Sequence, residues 1–281
     1  MERLDSRRRP AGDVQTARSV PHTTLLFIQV CLLLLAAVGA VLGTRELLRR
    51  ALPPVVVEHG EKVIPFVLGS FGGFYGLIAG FMLSTSWVEL RALRSAMTAE
   101  VNALADMGDI AANLPAARAG ELKQSIDAYL KAVIDSELPA MAQGRTSPTT
   151  MHALTELWVP LGHYEPKSEW EVSLRGIAIN KVMDIGEQRR QRIVFSRERL
   201  PAILWWILLG SGTIILAGAV VVSLNYNRPV GFFLGALTVV VTLVLFAIRV
   251  LERPFQYNLA PESAEYMAAW EVLGGPDTPM R

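Results

Sequence analysis

The stretch VIPFVLGSFGGFYGLIAGFMLSTSWV, residues 63–88, carries no charged residue in 26 positions. About 20 apolar residues in a helix cross a bilayer core of roughly 30 Å, so this stretch predicts a transmembrane helix. At 3.6 residues per turn, two different faces of that helix separate by about a quarter-turn. One face is bare glycine, at Gly69, Gly73, Gly76 and Gly80, and the other is mostly aromatic, at Phe66, Ser70, Phe74, Leu77 and Phe81.

The glycine face indicates close helix packing, because small residues let two helix backbones approach in a membrane. Two interpretations are open. The glycines pack this helix against other helices of the same chain, or they contact a neighbouring subunit while the aromatic face lines an axis shared by several copies.

Three further uncharged runs cover residues 20–44, 200–227 and 229–248. The chain is therefore predicted to be an all-α membrane protein with four transmembrane helices, in agreement with its 51% hydrophobic content. The predicted divisions are a disordered basic tail at 1–19, helices 1 and 2 at 20–88, a cytoplasmic helical domain at 89–199, helices 3 and 4 at 200–250, and a cytoplasmic C-terminal segment at 251–281. Disorder is expected again from Gly274.

Arginines near the ends of the apolar runs predict the orientation, because cytoplasmic flanks are enriched in Lys and Arg. The N-terminal tail, the segment after the second run, the segment before the third and the segment after the fourth are all rich in arginine. We therefore expect both termini and the central domain to lie in the cytoplasm. The arginines of the two inner flanks include Arg91, Arg94, Arg189, Arg190 and Arg192.

The central segment is predicted to be a helical continuation of the membrane part. The second helix can run without a break until Pro115, and a second helix spans about 116–138 with one apolar face, ended by Pro139. A short helix at 151–159 follows Ser147, a predicted cap, and Pro148.

A long helix is predicted to begin at a capping box formed by Ser168 and Glu171, in which each side chain satisfies a backbone N–H. Its apolar positions continue to the arginines near residue 190. We expect this helix to run directly into the third transmembrane helix at Pro201.

Residues that could carry enzymatic chemistry are sparse. The single cysteine, Cys31, lies in the first apolar run, and the four histidines are scattered without the spacing of metal ligands. No phosphate-binding glycine loop or catalytic triad is present in the sequence. We therefore expect no catalytic residue, metal or cofactor. The net charge of +1 carries no information about a nucleic-acid partner, and no such partner is expected because membrane topology explains the arginines better than phosphate binding does.

Five segments of the chain are similar to a bacterial family of membrane proteins often called bestrophin-like. They are RRALPPVVVEH at 49–59, GGFYGLIAGF at 72–81, EVNALA at 100–105, RRQRIVFSRERLPAILWW at 189–206 and RVLERPFQYNLAPES at 249–263. More distantly, residues 64–69 with Gly73-Phe74-Tyr75 and Trp87 resemble the neck-helix motif of the bestrophins, IPxSFVLGFY followed by a tryptophan. This chain has an insertion of a few residues before GFY.

The resemblance implies a homopentamer in membrane lipid of the bacterial inner membrane, with a central pore for small anions such as chloride. Matching by GFY makes Phe66, Ser70 and Phe74 the neck, whereas matching by IP starts the neck at Ile64 and Leu68. The first set is preferred because it coincides with the aromatic face. Arg91, Arg94, Arg189, Arg190 and Arg192 would then be candidates for a basic inner mouth.

The bestrophin resemblance does not extend to calcium. Animal bestrophins carry consecutive acidic residues after the fourth helix, whereas this chain has isolated Glu252, Glu262 and Glu265. Calcium requires six to eight oxygen ligands, so no calcium site is expected. The alternative function is a non-conducting membrane scaffold or sensor whose cytoplasmic helical domain binds a partner.

Overall fold

The computed structural model describes residues 22–51, 63–224, 229–257 and 264–273, and those residues contain helices and no strand. The helices are α1 His22–Ala51, α2 Val63–Ala112, α3 Ala116–Ala132, α4 Leu138–Ala142, α5 Pro148–Glu156, α6 Val159–Gly162, α7 Glu169–Arg197, α8 Ala202–Ser223, α9 Pro229–Leu251 and α10 Ala264–Leu273. The predicted disorder at 1–19 and from Gly274 falls outside the described residues.

Four helical stretches in the described residues are long and apolar enough to cross a membrane, which confirms the predicted number. They are Phe27–Ala51, Phe66–Ala112, Glu169–Ser223 and Val230–Leu251. The second and third stretches also contain polar helix that extends beyond a bilayer, since about 20 residues are sufficient to span one.

Helix α2 confirms the prediction of a single uninterrupted helix that ends before Pro115. Its 50 residues span about 75 Å at 1.5 Å per residue. We call residues 63–88 the apolar half of α2 and residues 89–112 its polar half. The two halves pack in separate hydrophobic cores, described next.

The first core holds the apolar half of α2 against α8 and α9, which also contact α1. Tyr75 and Met82 of α2 pack there with Leu208 and Ile215 of α8. Gly212 and Gly218 allow α2 to approach α8 closely. A Cβ added at Gly218 would lie 2.7 Å from Cδ1 of Leu68, and one added at Gly212 would lie 3.3 Å from the ring of Tyr75.

The second core surrounds the polar half of α2. Leu93, Met97, Leu104 and Met107 are buried by α3, α7 and α10. Their spacings of four, seven and three residues place them on one side of the helix, with Glu100 between Met97 and Leu104. We call α3 to α7, which follow α2 in the chain, the helical block; α10, which follows α9, packs on the same core.

The expectation that Pro139 ends the second helix of this block is wrong. A π-helical turn at Val133–Glu137 separates α3 from α4, and the helical path continues through Pro139 to Ala142. Leu138 N–H bonds to the carbonyl of Val133, five residues back. The wider turn accommodates the proline ring, which in a regular α-helix would press on the carbonyl four residues earlier.

The expectation that α7 runs directly into the third apolar helix is also wrong. Helix α7 ends at Arg197, Glu198 is extended (φ −58°, ψ 131°), and α8 begins after Pro201. Proline lacks an N–H and disfavours helical geometry in the residue before it. These two constraints separate the helices by a short connection.

The two predicted helix caps are present. Ser147 Oγ accepts a hydrogen bond from Thr150 N–H at 3.3 Å, although α5 begins at Pro148 rather than Met151. Ser168 Oγ accepts from Glu171 N–H at 3.2 Å. The carboxylate of Glu171 accepts from Lys167 N–H at 2.7 Å, one residue earlier than a capping box predicts.

Candidate pore helix and the charged cluster that anchors it

The apolar half of α2 presents its aromatic face away from the rest of the subunit. Phe66, Phe74 and Phe81 are 76%, 66% and 66% exposed. Tyr75, Ala79, Met82 and Ser86 are buried on the side that faces α8 and α9. At 3.6 residues per turn the two sets lie on opposite sides of the helix.

The glycine face is also uncovered in the subunit. A Cβ added at Gly69, Gly73, Gly76 or Gly80 would meet no described atom within 4 Å. The close helix contact within the chain is made instead at Gly212 and Gly218 of α8, which the sequence analysis did not single out. The interpretation that the α2 glycines pack against other helices of the same chain therefore has no support in this subunit.

The two possible neck registers occupy different environments. Leu68 contacts Gly218 and packs on the first core, whereas Phe66, Ser70 and Phe74 are exposed. Ser70 Oγ donates to the carbonyl of Phe66 at 3.1 Å, which satisfies the hydroxyl along the helix. The side chain of Ile64 lies outside the described residues. Of the two registers, the aromatic one leaves its described side chains outside the subunit core.

The five candidate inner-mouth arginines divide into two groups. Arg91, Arg94 and Arg190 are exposed, and Arg190 pairs with Glu187 at 2.6 Å. Arg189 and Arg192 are buried and paired with glutamates inside the subunit. Since those two positive charges are compensated, a basic mouth cannot draw on them in this conformation of the subunit.

A fully buried charged cluster joins four helices. The carboxylate of Glu100 in α2 accepts from Arg192 of α7 at 2.9 Å (Nε to Oε2) and 3.2 Å (Nη2 to Oε1). It also accepts from the hydroxyl of Tyr129 in α3 at 2.7 Å and from that of Tyr266 in α10 at 3.1 Å. All four residues have 0% exposure. The carboxylate is therefore solvated by protein donors in place of water.

Burial raises the pKa of one member of this cluster, Tyr129. The pKa of Tyr129 is raised well above its ordinary value, first by burial and then by the negative charge of Glu100. The Tyr129 hydroxyl therefore keeps its proton and remains a donor to the carboxylate. The Arg192 guanidinium also lies 5.6 Å from the ring centre of Tyr266, within the range of a cation–π contact.

A second buried ion pair lies beside the π-helical turn. Arg189 binds Glu137 through two nitrogens, with distances of 3.1, 3.1 and 2.8 Å. Glu137 has 0% exposure and belongs to that turn. The wide turn places its carboxylate toward α7, so the irregular element and the ion pair occur together.

The sequence around Glu100 carries a signal of its burial. Glu100 occupies the same apolar stripe as Leu93, Met97, Leu104 and Met107, at helical spacing. A single charge in the middle of such a stripe predicts a buried partner of opposite charge, because an unpaired buried carboxylate is very costly. The partner, Arg192, lies 92 positions further along the chain, so only the fold decides which arginine it is.

Glu252 connects the ends of α8 and α9. Its Oε1 accepts from Leu200 N–H at 3.1 Å and from the indole N–H of Trp205 at 3.0 Å. Arg249 Nη1 lies 3.7 Å from the other carboxylate oxygen. Within the described residues, no group of three or more His, Cys, Asp or Glu side chains could hold a metal ion.

Comparison with known proteins identifies the family. The family model described as the Bestrophin-like domain matches residues 32–260, which is most of the chain. No curated protein and no solved structure matches the chain. The matched region contains α2, α8, α9 and three members of the buried charged cluster, Glu100, Tyr129 and Arg192, whereas Tyr266 lies beyond it. Together with its four apolar helices, this match indicates a multi-pass membrane protein. The chain belongs to the Bestrophin-like family.

Proposed function

We propose that the protein is a homopentameric anion channel in which α2 lines a hydrophobic neck. One observation carries the proposal. The aromatic face of the apolar half is uncovered on the side of α2 opposite the subunit's own helices, and the bare glycine face lies beside it. A pore-lining helix needs this arrangement, with packed helices behind it and a shared axis in front.

The uncovered faces suit a closed ring better than a two-fold dimer. In a ring each subunit offers two different surfaces to its two neighbours. Around α2, the glycine face lies on one side of the aromatic face. Val67 and Phe71, which are 42% and 51% exposed, lie on the other side. The glycines would admit the neighbouring α2 closely, and the number five is taken from the resemblance to bestrophins.

The neck is assigned to Phe66, Ser70 and Phe74. Rings of apolar side chains narrow a pore and control water within it, so that conduction depends on dewetting. Leu77 and Phe81 continue the same face and would extend the constriction toward the polar half. Leu68 is not assigned to the neck, because it fills the space above Gly218.

Arg91 and Arg94, just beyond the apolar half, are assigned to the inner mouth. Both are exposed, and five copies would form a ring of positive charge that favours anions such as chloride. Arg190 is also exposed, but Glu187 offsets its charge. We further propose that the central helical block and both termini are cytoplasmic and that the protein resides in a bacterial inner membrane.

The neck is tested by anion flux. The full-length protein is reconstituted in liposomes, and chloride efflux is measured after the subunits in detergent particles have been counted by imaging. Phe74→Ala should raise efflux several-fold, because a smaller ring of side chains wets more easily. Phe232→Ala is the matched control. Phe232 is 76% exposed, compared with 66% for Phe74, but belongs to α9, so its removal should leave efflux unchanged.

The outcomes separate two classes of protein. If intact pentamers pass no chloride at any voltage or pH, and Phe74→Ala does not change this, the channel is rejected. A non-conducting scaffold or sensor whose helical block binds a partner would then be adopted. Particles containing one or two subunits would reject the ring itself.

A further inference from the structure

A polar cavity of about 200 Å³ lies outside the proposed pore helix. It is formed by the turn after α4, the end of α7 and the turns that follow α9. The polar residues that line it are Gln143, Gly144, Ser196, Arg199, Arg253 and Gln256. The described lining residues include two arginines and neither Asp nor Glu, so the cavity is positively charged.

Two glutamine side chains in the walls of the cavity carry hydrogen-bond donors. The amide oxygens of Gln143 and Gln256 accept from the guanidinium groups of Arg145 and Arg253, the latter at 2.9 Å. The amide nitrogens of both side chains remain donors. Gly144 has a φ of 74°, in the left-handed region that favours glycine, and this allows the tight turn that forms one wall.

Arg253 lies in an unfavourable environment for its charge. Its Nε is buried and has no hydrogen-bond acceptor among the described residues. The pKa of Arg253 is lowered, first by partial burial and then by the positive charges of Arg249 and Arg199. The adjacent carboxylate, Glu252, is turned toward Leu200 and Trp205. An anion in the cavity would compensate both the orphan donor and the repulsion.

The position of the cavity suggests the type of anion. Arg199 precedes the first residue of α8, Ala202, and Arg253 follows the last residue of α9, Leu251. Both arginines therefore lie where two apolar helices leave the bilayer core, at the depth of lipid phosphates. Guanidinium groups bind phosphate with short, charge-assisted hydrogen bonds.

We propose that Arg199 and Arg253 bind a phosphate group in this cavity, supplied either by the headgroup of an anionic lipid or by free phosphate. The site is separate from the conduction path and does not depend on whether the protein conducts. Occupation of the site ties the turn after α4 and the end of α7 to the segment after α9.

Two measurements on the full-length protein distinguish the sources. In the first, inorganic phosphate is titrated into protein in neutral phosphatidylcholine nanodiscs at constant ionic strength, and the rise in Tm is followed. In the second, nanodiscs contain phosphatidic acid in phosphatidylcholine, and lipid retained per subunit is counted by native mass spectrometry. A response in the first identifies free phosphate, and retention in the second that phosphate does not displace identifies lipid.

The variants Arg199→Gln and Arg253→Gln should each weaken the response at least about tenfold, because each removes a charge-assisted contact. Arg249→Gln is the matched control, since it removes a positive charge at the same boundary from a side chain that does not line the cavity. It should change the response by less than about threefold.

Arg199 is exposed, so Arg199→Gln should fold normally and decides the test even if Arg253→Gln unfolds. A Tm without phosphate equal to that of the unmodified protein verifies this. The proposal is overturned if neither measurement shows binding, or if Arg199→Gln binds as tightly as the unmodified protein.

Discussion

The two halves of α2 form one continuous helix but differ in how much of their surface the subunit covers. In the polar half, Leu93, Met97, Leu104 and Met107 are at most 1% exposed. In the apolar half, Phe66 and Leu77 are 76% and 71% exposed. The subunit thus completes the environment of one half and leaves the other to lipid or to further subunits.

The difference follows from where the partner helices are. Helices α3, α7 and α10 pack around the polar half, whereas α8 and α9 cover one side of the apolar half. Water would penalise an uncovered apolar face on the polar half, and a bilayer does not penalise one on the apolar half. In a membrane, the apolar half of α2 can therefore keep an uncovered apolar face, and this face is available for contact with another subunit.

Breaking the buried charged cluster should have the largest effect on stability. Glu100→Gln leaves the guanidinium of Arg192 uncompensated in a site with 0% exposure, and we expect a loss of about 3–5 kcal/mol in the free energy of unfolding. Denaturant unfolding in detergent measures the loss. Glu187→Gln is the control, because it removes the carboxylate that pairs with Arg190 at an exposed site. It should leave the free energy of unfolding unchanged.

The double variant Glu100→Gln/Arg192→Met sharpens this test. Because it removes the charge left unpaired by the single change, it should be more stable than Glu100→Gln alone. Equal stability of Glu100→Gln and the unmodified protein would contradict the view that the cluster anchors the polar half.

A pair of glycine variants compares packing within the subunit with the proposed packing between subunits. Gly212→Leu forces a side chain against the ring of Tyr75 and against Val241, and we expect it to lower subunit stability by about 1–3 kcal/mol. A Cβ added at Gly76 meets no described atom within 4 Å, so for Gly76→Leu we expect the subunit to keep its stability while the oligomer dissociates. Unfolding and native mass spectrometry measure the two effects.

Two outcomes of the glycine variants would contradict these assignments. If Gly76→Leu assembles as the unmodified protein does, the glycine face does not contact a neighbour. If Gly212→Leu has no effect on unfolding, the close approach of α2 to α8 has been misassigned.

The smallest expected effect is a dependence of the free energy of unfolding on pH in the alkaline range. The pKa of Tyr129 is raised in the folded chain, so the folded protein retains a proton that the unfolded chain releases above about pH 10. The free energy of unfolding should therefore fall as pH rises above that point, by at most about 1.4 kcal/mol per unit from this residue. Tyr129→Phe should reduce the slope, and an unchanged slope would show that other groups cause it.

Much of the architecture followed from local patterns in the chain. The uncharged runs predicted four apolar helices, the absence of a breaker between residues 66 and 114 predicted the length of α2, and Ser147 and Ser168 predicted two caps. Segment similarity predicted the family, which the match over residues 32–260 confirms. The neck assignment to Phe66, Ser70 and Phe74 stays a prediction.

Other features could not be obtained from local patterns. Pro139 was expected to end a helix, but the π-helical turn before it carries the chain onward and presents Glu137 to Arg189. Pro201 was expected to be tolerated at a helix junction, but it separates α7 from α8. Whether a proline ends a helix, bends it or is accommodated within it depends on the hydrogen bonds and contacts that neighbouring helices provide.

The sequence by itself determined which segments are apolar enough to cross a membrane and which residues share a face of α2, because hydropathy and the 3.6-residue repeat are local properties. Only the tertiary structure decided which faces are covered. It placed Leu68 against Gly218, left Gly76 and Phe74 uncovered, and paired Glu100 with Arg192. Burial and charge compensation depend on side chains distant in sequence, and their positions are set by how the helices pack.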